Sequence, residues 1–272
     1  MMDVSALEAE DNLLHIAKKM RQTTDDRPAF TWLRGVSFTH SEGEVLPFYR
    51  YVSVGLTRAG PIKDDQYPFS LYEIGFYTDY ETGEVLDTVT VPLTGKKVTV
   101  PLYRTGPGLH VAKKQNTETL EWRRDRQADA ETAAQLAPDS EVKYQSRLYS
   151  PWIKGDQLWL RTESFTRMEP YDPSESGVFY KESIIFDSSV SDVADPNVTS
   201  ADVGVSFAIA NSWRPWMELD GGPGHAMTDG IGGKVTEWEA LPADLLGHIA
   251  RHHPDITDPV ALLDQPSPTT AE

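Results

Sequence analysis

The sequence predicts a mainly β protein, an antiparallel meander rolled into a closed barrel or a strongly curved, calycin-like sheet, with a short helix near each end. Three observations lead there. Segments with period-two alternation and many β-branched or aromatic residues recur along the chain, among them FTWLRGVSFTH, LPFYRYVSVGLTR and YPFSLYEIGFYTDY. Short turns rich in Gly and Asp separate such segments, as at Asp79-Tyr80-Glu81-Thr82-Gly83-Glu84, Leu93-Thr94-Gly95-Lys96 and Lys154-Gly155-Asp156. Strands do not alternate regularly with helices, as a parallel sheet would require.

At the N-terminus, residues 4–21 place Leu13, Ile16, Ala17 and Met20 on one stripe, with Ser5 and Glu8 spaced as a capping box, and predict an amphipathic cover helix. The turn Asp25-Asp26-Arg27-Pro28 hands over to the first strand. Further strands are expected in VLDTVTV, KKVTVPLYR, VKYQSRLYSPWIK, QLWLRTESFTRME, VFYKESIIFDSSV and VGVSFAIANSW, and a last hairpin in HAMTDGIGGKVTEWE. Residues 117–137 are charged and Ala-rich, which suits a helical or mobile insertion. A helix is expected around 242–252, followed by a polar tail from Pro266. The organisation is therefore an N-terminal helix and turn (1–27), one β domain (28–245) and a C-terminal helix end with its tail (246–272).

Composition narrows the function. With 272 residues, 39% hydrophobic and 10% aromatic, the chain can bury a sizeable core. Its net charge of −17 repels phosphate backbones and anionic headgroups, so neither nucleic acid nor membrane is an expected partner. Cysteine is absent, which removes disulfides, thiolate metal sites, iron–sulfur clusters and thiol nucleophiles. The N-terminal residues carry acids where a signal peptide has a basic region, which predicts a cytoplasmic address. The histidines form no zincin pattern. His248 and His252 alone have helical spacing, at a helix end, and neither a metal nor a cofactor is expected.

Candidate chemistry lies in the later strands. Along QLWLRTESFTRME, Trp159, Arg161, Glu163 and Phe165 share one face and Leu158, Leu160, Thr162 and Ser164 the other. If the charged row points inward it builds a ligand cavity; if outward, it carries a cross-strand salt bridge. Tyr180 and Glu182 share a face with Ile184 and Phe186, and Glu73 lies with Leu71 and Tyr77, so each carboxyl is expected among apolar groups. There it is paired, solvated through a pocket, or neutral. Two such acids suit general acid–base work, although pairing with Arg34, Arg147 or Arg161 would make them structural.

In Trp213-Arg214-Pro215-Trp216-Met217 the proline limits the orientations of two indoles beside a guanidinium, a set suited to a planar or phenolic ligand or, equally, to plugging a barrel end. Gly221-Gly222-Pro223-Gly224 lacks the Lys-Ser/Thr of a phosphate loop, and His225 after it is a further proton-transfer candidate. No nucleophile elbow or dinucleotide fingerprint is present.

Three segments resemble the bacterial domain-of-unknown-function family eighteen thirty-eight: EIGFYTDYETGEVLDTVTVPLTGKKVTV, YKESIIFDSSVSDVADPNVTSA and SWRPWMELDGGPGHAMTDGIGGKVTEWEALP. The resemblance spans about residues 28 to 245. Ser212 stands where the family pattern has Pro, and Leu219 where it has Met. The resemblance implies a direction towards bacterial catabolism of aromatic compounds. It carries over the positions of Glu182, Trp213, Pro215, Trp216, Met217 and Gly224 without assigning their roles.

The expected function is a cofactor-independent lyase or isomerase acting on an aromatic or similarly apolar small molecule. Glu182, with Glu163, Glu73 or His225, would move protons; Trp159, Arg161, Tyr180, Trp213, Arg214, Trp216 and Met217 would bind. The rival is a carrier or sensor with the same cavity and no chemistry. A third reading is an oligomer-forming structural protein with a packed interior.

Overall fold

The computed structural model describes residue 7 and residues 12–113, 141–169, 179–219 and 222–265. Its strands are β1 (Ala29–Ser41), β2 (Glu44–Ala59), β3 (Gln66–Thr78), β4 (Thr88–Thr90), β5 (Lys97–Thr99), β6 (Tyr103–Lys113), β7 (Glu141–Leu148), β8 (Trp152–Lys154), β9 (Gln157–Glu169), β10 (Phe179–Ser189), β11 (Val203–Asn211) and β12 (His225–Val235). The α-helices whose bounds fall among the described residues are α1 (Leu13–Arg21), α2 (Val190–Ala194) and α3 (Ala243–His252). Nine strands form one path in the order β6-β3-β2-β1-β12-β11-β10-β9-β7, with β8 on β9, while β4 and β5 pair separately. Every ladder is antiparallel.

The sheet curls through 184° into a half-barrel. Strand twist supplies part of that curl, and register shifts at Ser37/Phe38 and Leu71/Glu73 add local bends. Small residues on the concave side let the sheet tighten: a Cβ on Gly230 would sit 2.0 Å from the Arg34 carbonyl oxygen, and one on Gly232 2.1 Å from that of Trp32. These glycines lie within one continuous strand, not in the hairpin expected for HAMTDGIGGKVTEWE. None of them takes the positive φ that a tight reversal would need. The turns at Gly83, Gly95 and Gly155 do take it.

Each face of the sheet has its own cover. On the convex side, Val52, Val54, Leu56, Ile74 and Phe76 pack against Leu241, Leu245 and Ile249, so α3 lies over β2 and β3. On the concave side, Leu158, Leu160, Phe186 and Val205 pack against Leu13, Ile16, Ala17 and Met20, so α1 lies inside one end of the trough. The expected stripe of α1 is buried as predicted, but Lys18 and Lys19 are buried too, at 4% and 6% exposure.

Hydrogen bonds make that burial tolerable. Lys19 donates to the carbonyls of Val193 at 2.9 Å and Asp195 at 2.5 Å, and Lys18 to that of Gly60 at 2.9 Å. Lys234 caps the C-terminal carbonyls of α1, donating to Lys19 O at 2.6 Å and Gln22 O at 3.0 Å. Burial pushes the Lys234 ammonium down to about 7. Ser5 and Glu8 of the expected capping box, the insertion at 117–137 and the tail from Pro266 lie outside the described residues.

Candidate functional site in the concave trough

Register decides which side chains share the trough. Glu182 stands opposite Ile209, which stands opposite Thr228; Thr228 faces Ser37, and Ser37 faces Tyr49. One pleat along, Tyr51 faces Tyr77, Glu73 faces Thr105, and Tyr103 pairs across Gly75. Directly opposed residues point to the same side of a sheet. Tyr49, Tyr51, Glu73, Tyr77, Tyr103, Tyr180 and Glu182 therefore project from one face, the face that also holds Leu160, Phe186 and α1.

The trough is packed at both ends, and its middle is lined by half-buried side chains. At one end Phe69 and Phe186 pack against α1 and its flanks. At the other, Phe48, Tyr49 and Tyr77 pack with Trp213, Trp216 and Met217 and with Val91 and Val98 of the β4–β5 hairpin. Between them Tyr51, Glu73, Tyr103, Tyr180, Glu182 and Arg214 are each half-buried, the pattern of side chains lining a space rather than filling one.

Both carboxyls are held by tyrosines. The hydroxyl of Tyr51 donates to Glu73 Oε1 at 3.0 Å and that of Tyr103 to Oε2 at 3.2 Å, while Tyr180 donates to Glu182 Oε2 at 2.5 Å. Burial raises the Glu73 carboxyl, opposed by these two hydrogen bonds and by the Arg214 charge. Burial also raises Glu182, to about 7; the Tyr180 bond and the Arg21 charge oppose the rise, and the charge of Glu73 adds to it. Glu73 and Glu182 lie five ladder steps apart, about 24 Å along a flat sheet. The curl carries them across the trough to within range of each other's charge.

Arg214 completes the set. It leaves the end of β11 in the stretch before the short 3-10 helix Pro215–Met217, where Met217 N donates to its carbonyl at 2.9 Å. Burial disfavours its charge, yet a guanidinium stays protonated, and Tyr77, Tyr103, Tyr49 and Tyr180 lie within reach of that charge. Among the described residues no carboxylate lies within ion-pair distance of it and no side chain hydrogen-bonds to it. Trp213 is fixed by its indole N–H donating to Gly222 O at 3.1 Å. The indole nitrogen of Trp216 is buried and lacks a hydrogen-bond partner among the described residues. Gly224 turns the chain into β12 with φ +104°, where a Cβ would lie 2.0 Å from the His40 carbonyl oxygen.

Of the residues singled out in the sequence, the trough gathers Glu73, Tyr180, Glu182 and Arg214, with Trp213, Trp216 and Met217 at its rim. The row Trp159, Arg161, Glu163 and Phe165 faces the other way. It pairs with Asp187, Ile185, Ser183 and Lys181, on the pleat opposite to Glu182, because Leu158 and Leu160 of the alternate row are needed under α1. The inward alternative for that row is thus corrected to the outward one. Glu163 bonds to Arg161 and accepts from Tyr149 at 2.5 Å, with Arg147 across from it in register, and Trp159 lies against exposed Trp152 with ring centroids 4.7 Å apart.

His225 stacks on His40 at 5.3 Å, on the pleat opposite to the trough residue Ala226, so it too stands apart from the carboxyls. His248, His252 and His253 gather around Phe76 on the convex side. Among the described residues no group of three or more His, Cys, Asp or Glu could hold a metal ion, and no helix is long and apolar enough to cross a membrane.

Comparison with known families adds the lineage. The profile of a family described as a protein of unknown function, DUF1838, matches residues 29–271. The chain belongs to the DUF1838 family. No curated protein matches it. The DUF1838 match contains every strand and both trough carboxyls, whereas α1 and Arg21 precede it.

Tyr49, Tyr51, Tyr77 and Tyr103, like Arg21 at the end of α1, are trough residues that had no assigned part in the site. Their signal was present in part: Tyr49, Tyr51 and Ser53 keep one parity in β2, as Glu73 and Tyr77 do in β3. Tyr103 enters only because the bulge at Leu71/Glu73 shifts the β6 register.

Proposed function

We propose that this DUF1838 protein is a cofactor-independent lyase or isomerase that moves a proton on an aromatic or phenolic small molecule held in the trough. The observation that carries the reading is the state of the two carboxyls. A passive binding protein would tie each acid to an arginine. Here Glu73 and Glu182 are held by tyrosine hydroxyls, and Arg214 is left facing the trough. A carboxyl at about 7 populates both protonation states near neutrality, which suits a group that must take a proton and give it back.

In the proposed step, ionised Glu182 removes a proton from a substrate carbon next to an activating carbonyl or ring. The C–H electron pair moves into the π system, and the negative charge that develops lies within reach of the Arg214 charge. Protonated Glu182 then returns the proton to another carbon, giving an isomer, or to a departing oxygen, giving elimination. Tyr180 orients the Glu182 carboxyl, and Glu73 with Tyr51 and Tyr103 supplies a second acid across the trough.

The test is mass spectrometry of incubations with a panel of aromatic metabolites, comparing wild type with Glu182→Gln. Loss of turnover by about 100-fold or more with binding retained supports the reading. Equal turnover by the variant refutes it, and tight binding of one compound without turnover favours a carrier.

A further inference from the structure

We infer that the ligand of the trough is an aromatic monocarboxylate, its carboxylate paired with the Arg214 guanidinium and its ring laid against the tyrosine wall. This deepens the proposed function by naming a ligand class, and it rests on the trough being the ligand site. It does not depend on the chemistry performed there.

Arg214 is half-buried, and a partly desolvated guanidinium favours an anion that accepts from several of its five N–H donors at once. Among the described residues no carboxylate lies within ion-pair distance of it and no side chain hydrogen-bonds to it. The carboxyls that could have neutralised it are engaged with tyrosine hydroxyls, Glu73 at 3.0 and 3.2 Å and Glu182 at 2.5 Å, and burial favours the neutral form of each. A second cation, Arg21 at the end of α1, acts on Glu182 from the helix end while its guanidinium lies 5.6 Å from the Phe69 ring centroid. Two cations, Arg214 and Arg21, thus act on the centre of the trough inside a protein of net charge −17.

The walls select the rest of the molecule. Beside the guanidinium Tyr49, Tyr77 and Trp216 pack together, with centroids 4.9 Å apart for Tyr49 and Tyr77 and 5.2 Å for Tyr77 and Trp216, and half-buried Tyr51, 5.9 Å from Tyr77, extends this aromatic surface into the trough with Tyr103 and Tyr180. Such surface favours a flat aromatic body. A carboxylate matches the planar fork of a guanidinium with two parallel hydrogen bonds. A phosphate dianion would bring a second negative charge towards Glu73 and Glu182, so a monoanion is the better fit.

The test is isothermal titration of the full chain at pH 6 with 3-phenylpropanoate and 4-hydroxycinnamate, against their primary amides and phenyl phosphate. Wild type is expected to bind the carboxylates at least about tenfold more tightly than the amides. Arg214→Gln should erase that preference and Arg214→Lys should keep part of it. Carboxylate affinity in wild type should fall between pH 6 and pH 8, as Glu182 gains charge.

Equal binding of acids and amides by wild type, preference for phenyl phosphate, or absence of binding by either acid overturns the inference, whatever the variants do. So does a carboxylate preference that survives in folded Arg214→Gln. Carboxylate binding without turnover leaves this inference standing and removes the enzyme reading. Turnover of neutral aromatics with no carboxylate preference does the reverse.

Discussion

Replacing Glu182 by Gln should change how the stability of the fold depends on pH, and this can be measured before any substrate is known. In the folded chain burial holds the carboxyl at about 7, against an ordinary value of 4.5. The folded state therefore binds the proton more tightly than the unfolded state does. Its stabilising contribution is complete below pH 4.5 and is lost as pH rises through 7. The difference corresponds to about 3 kcal/mol in all.

Gln is nearly isosteric and always neutral. The variant should follow wild type at pH 4.5 apart from a constant offset, then gain on it steadily, ending about 3 kcal/mol ahead of that baseline at pH 8.5. In a protein of this size that is a shift in Tm of roughly 6–12 °C. Urea and thermal denaturation of both proteins across pH 4.5–8.5 measure it. A stability difference that is flat with pH, or one that moves against the variant as pH rises, would refute the account of a carboxyl desolvated in the trough.

Two partners should tune the same midpoint in opposite directions. Glu73→Gln removes a like charge and should lower the pH at which Glu182 titrates, whereas Arg21→Met removes an opposing cation and should raise it; carbon-detected NMR titration of the Glu182 carboxyl reads both. Glu163→Gln should leave turnover of an identified substrate within about twofold of wild type, since this residue bonds Arg161 and Tyr149 on the outer face; a loss like that of Glu182→Gln would return the outer row to the site. Gly230→Ala forces a Cβ to 2.0 Å from the Arg34 carbonyl oxygen. It should cost about 3 kcal/mol or more in urea denaturation, and a neutral result would show that the β1–β12 ladder can widen freely.

Much of the architecture is written in local pattern. The stripe Leu13, Ile16, Ala17 and Met20 marks α1, and the turn glycines at 83, 95 and 155 end strands where expected. The glycines of β12 misled because local sequence cannot separate a glycine that supplies positive φ from one that admits a neighbouring backbone. Gly224 does the first, and Gly230 and Gly232 the second. Lys18 and Lys19 lie outside the apolar stripe of α1 and are buried all the same. Their burial depends on carbonyls of Gly60, Val193 and Asp195, about 40 and 175 residues distant, which no helical periodicity reports.

For the site, alternation along a strand divides side chains into two rows, and the sequence by itself established that Glu182 travels with Phe186, Glu73 with Tyr77, and Glu163 with Trp159. Which row looks inward was settled only by tertiary structure, because a pleated strand is symmetrical until something covers one face. Here α1 claims the Leu158 and Leu160 face and sends the charged row outward. The meeting of Glu73 with Glu182 was likewise beyond the sequence. It depends on the curl summed over five strand pairs, where twist, bulges and the bare surfaces of Gly230 and Gly232 act together. The residues supplied an arginine, two acids and a set of tyrosines; the half-barrel put them in one trough.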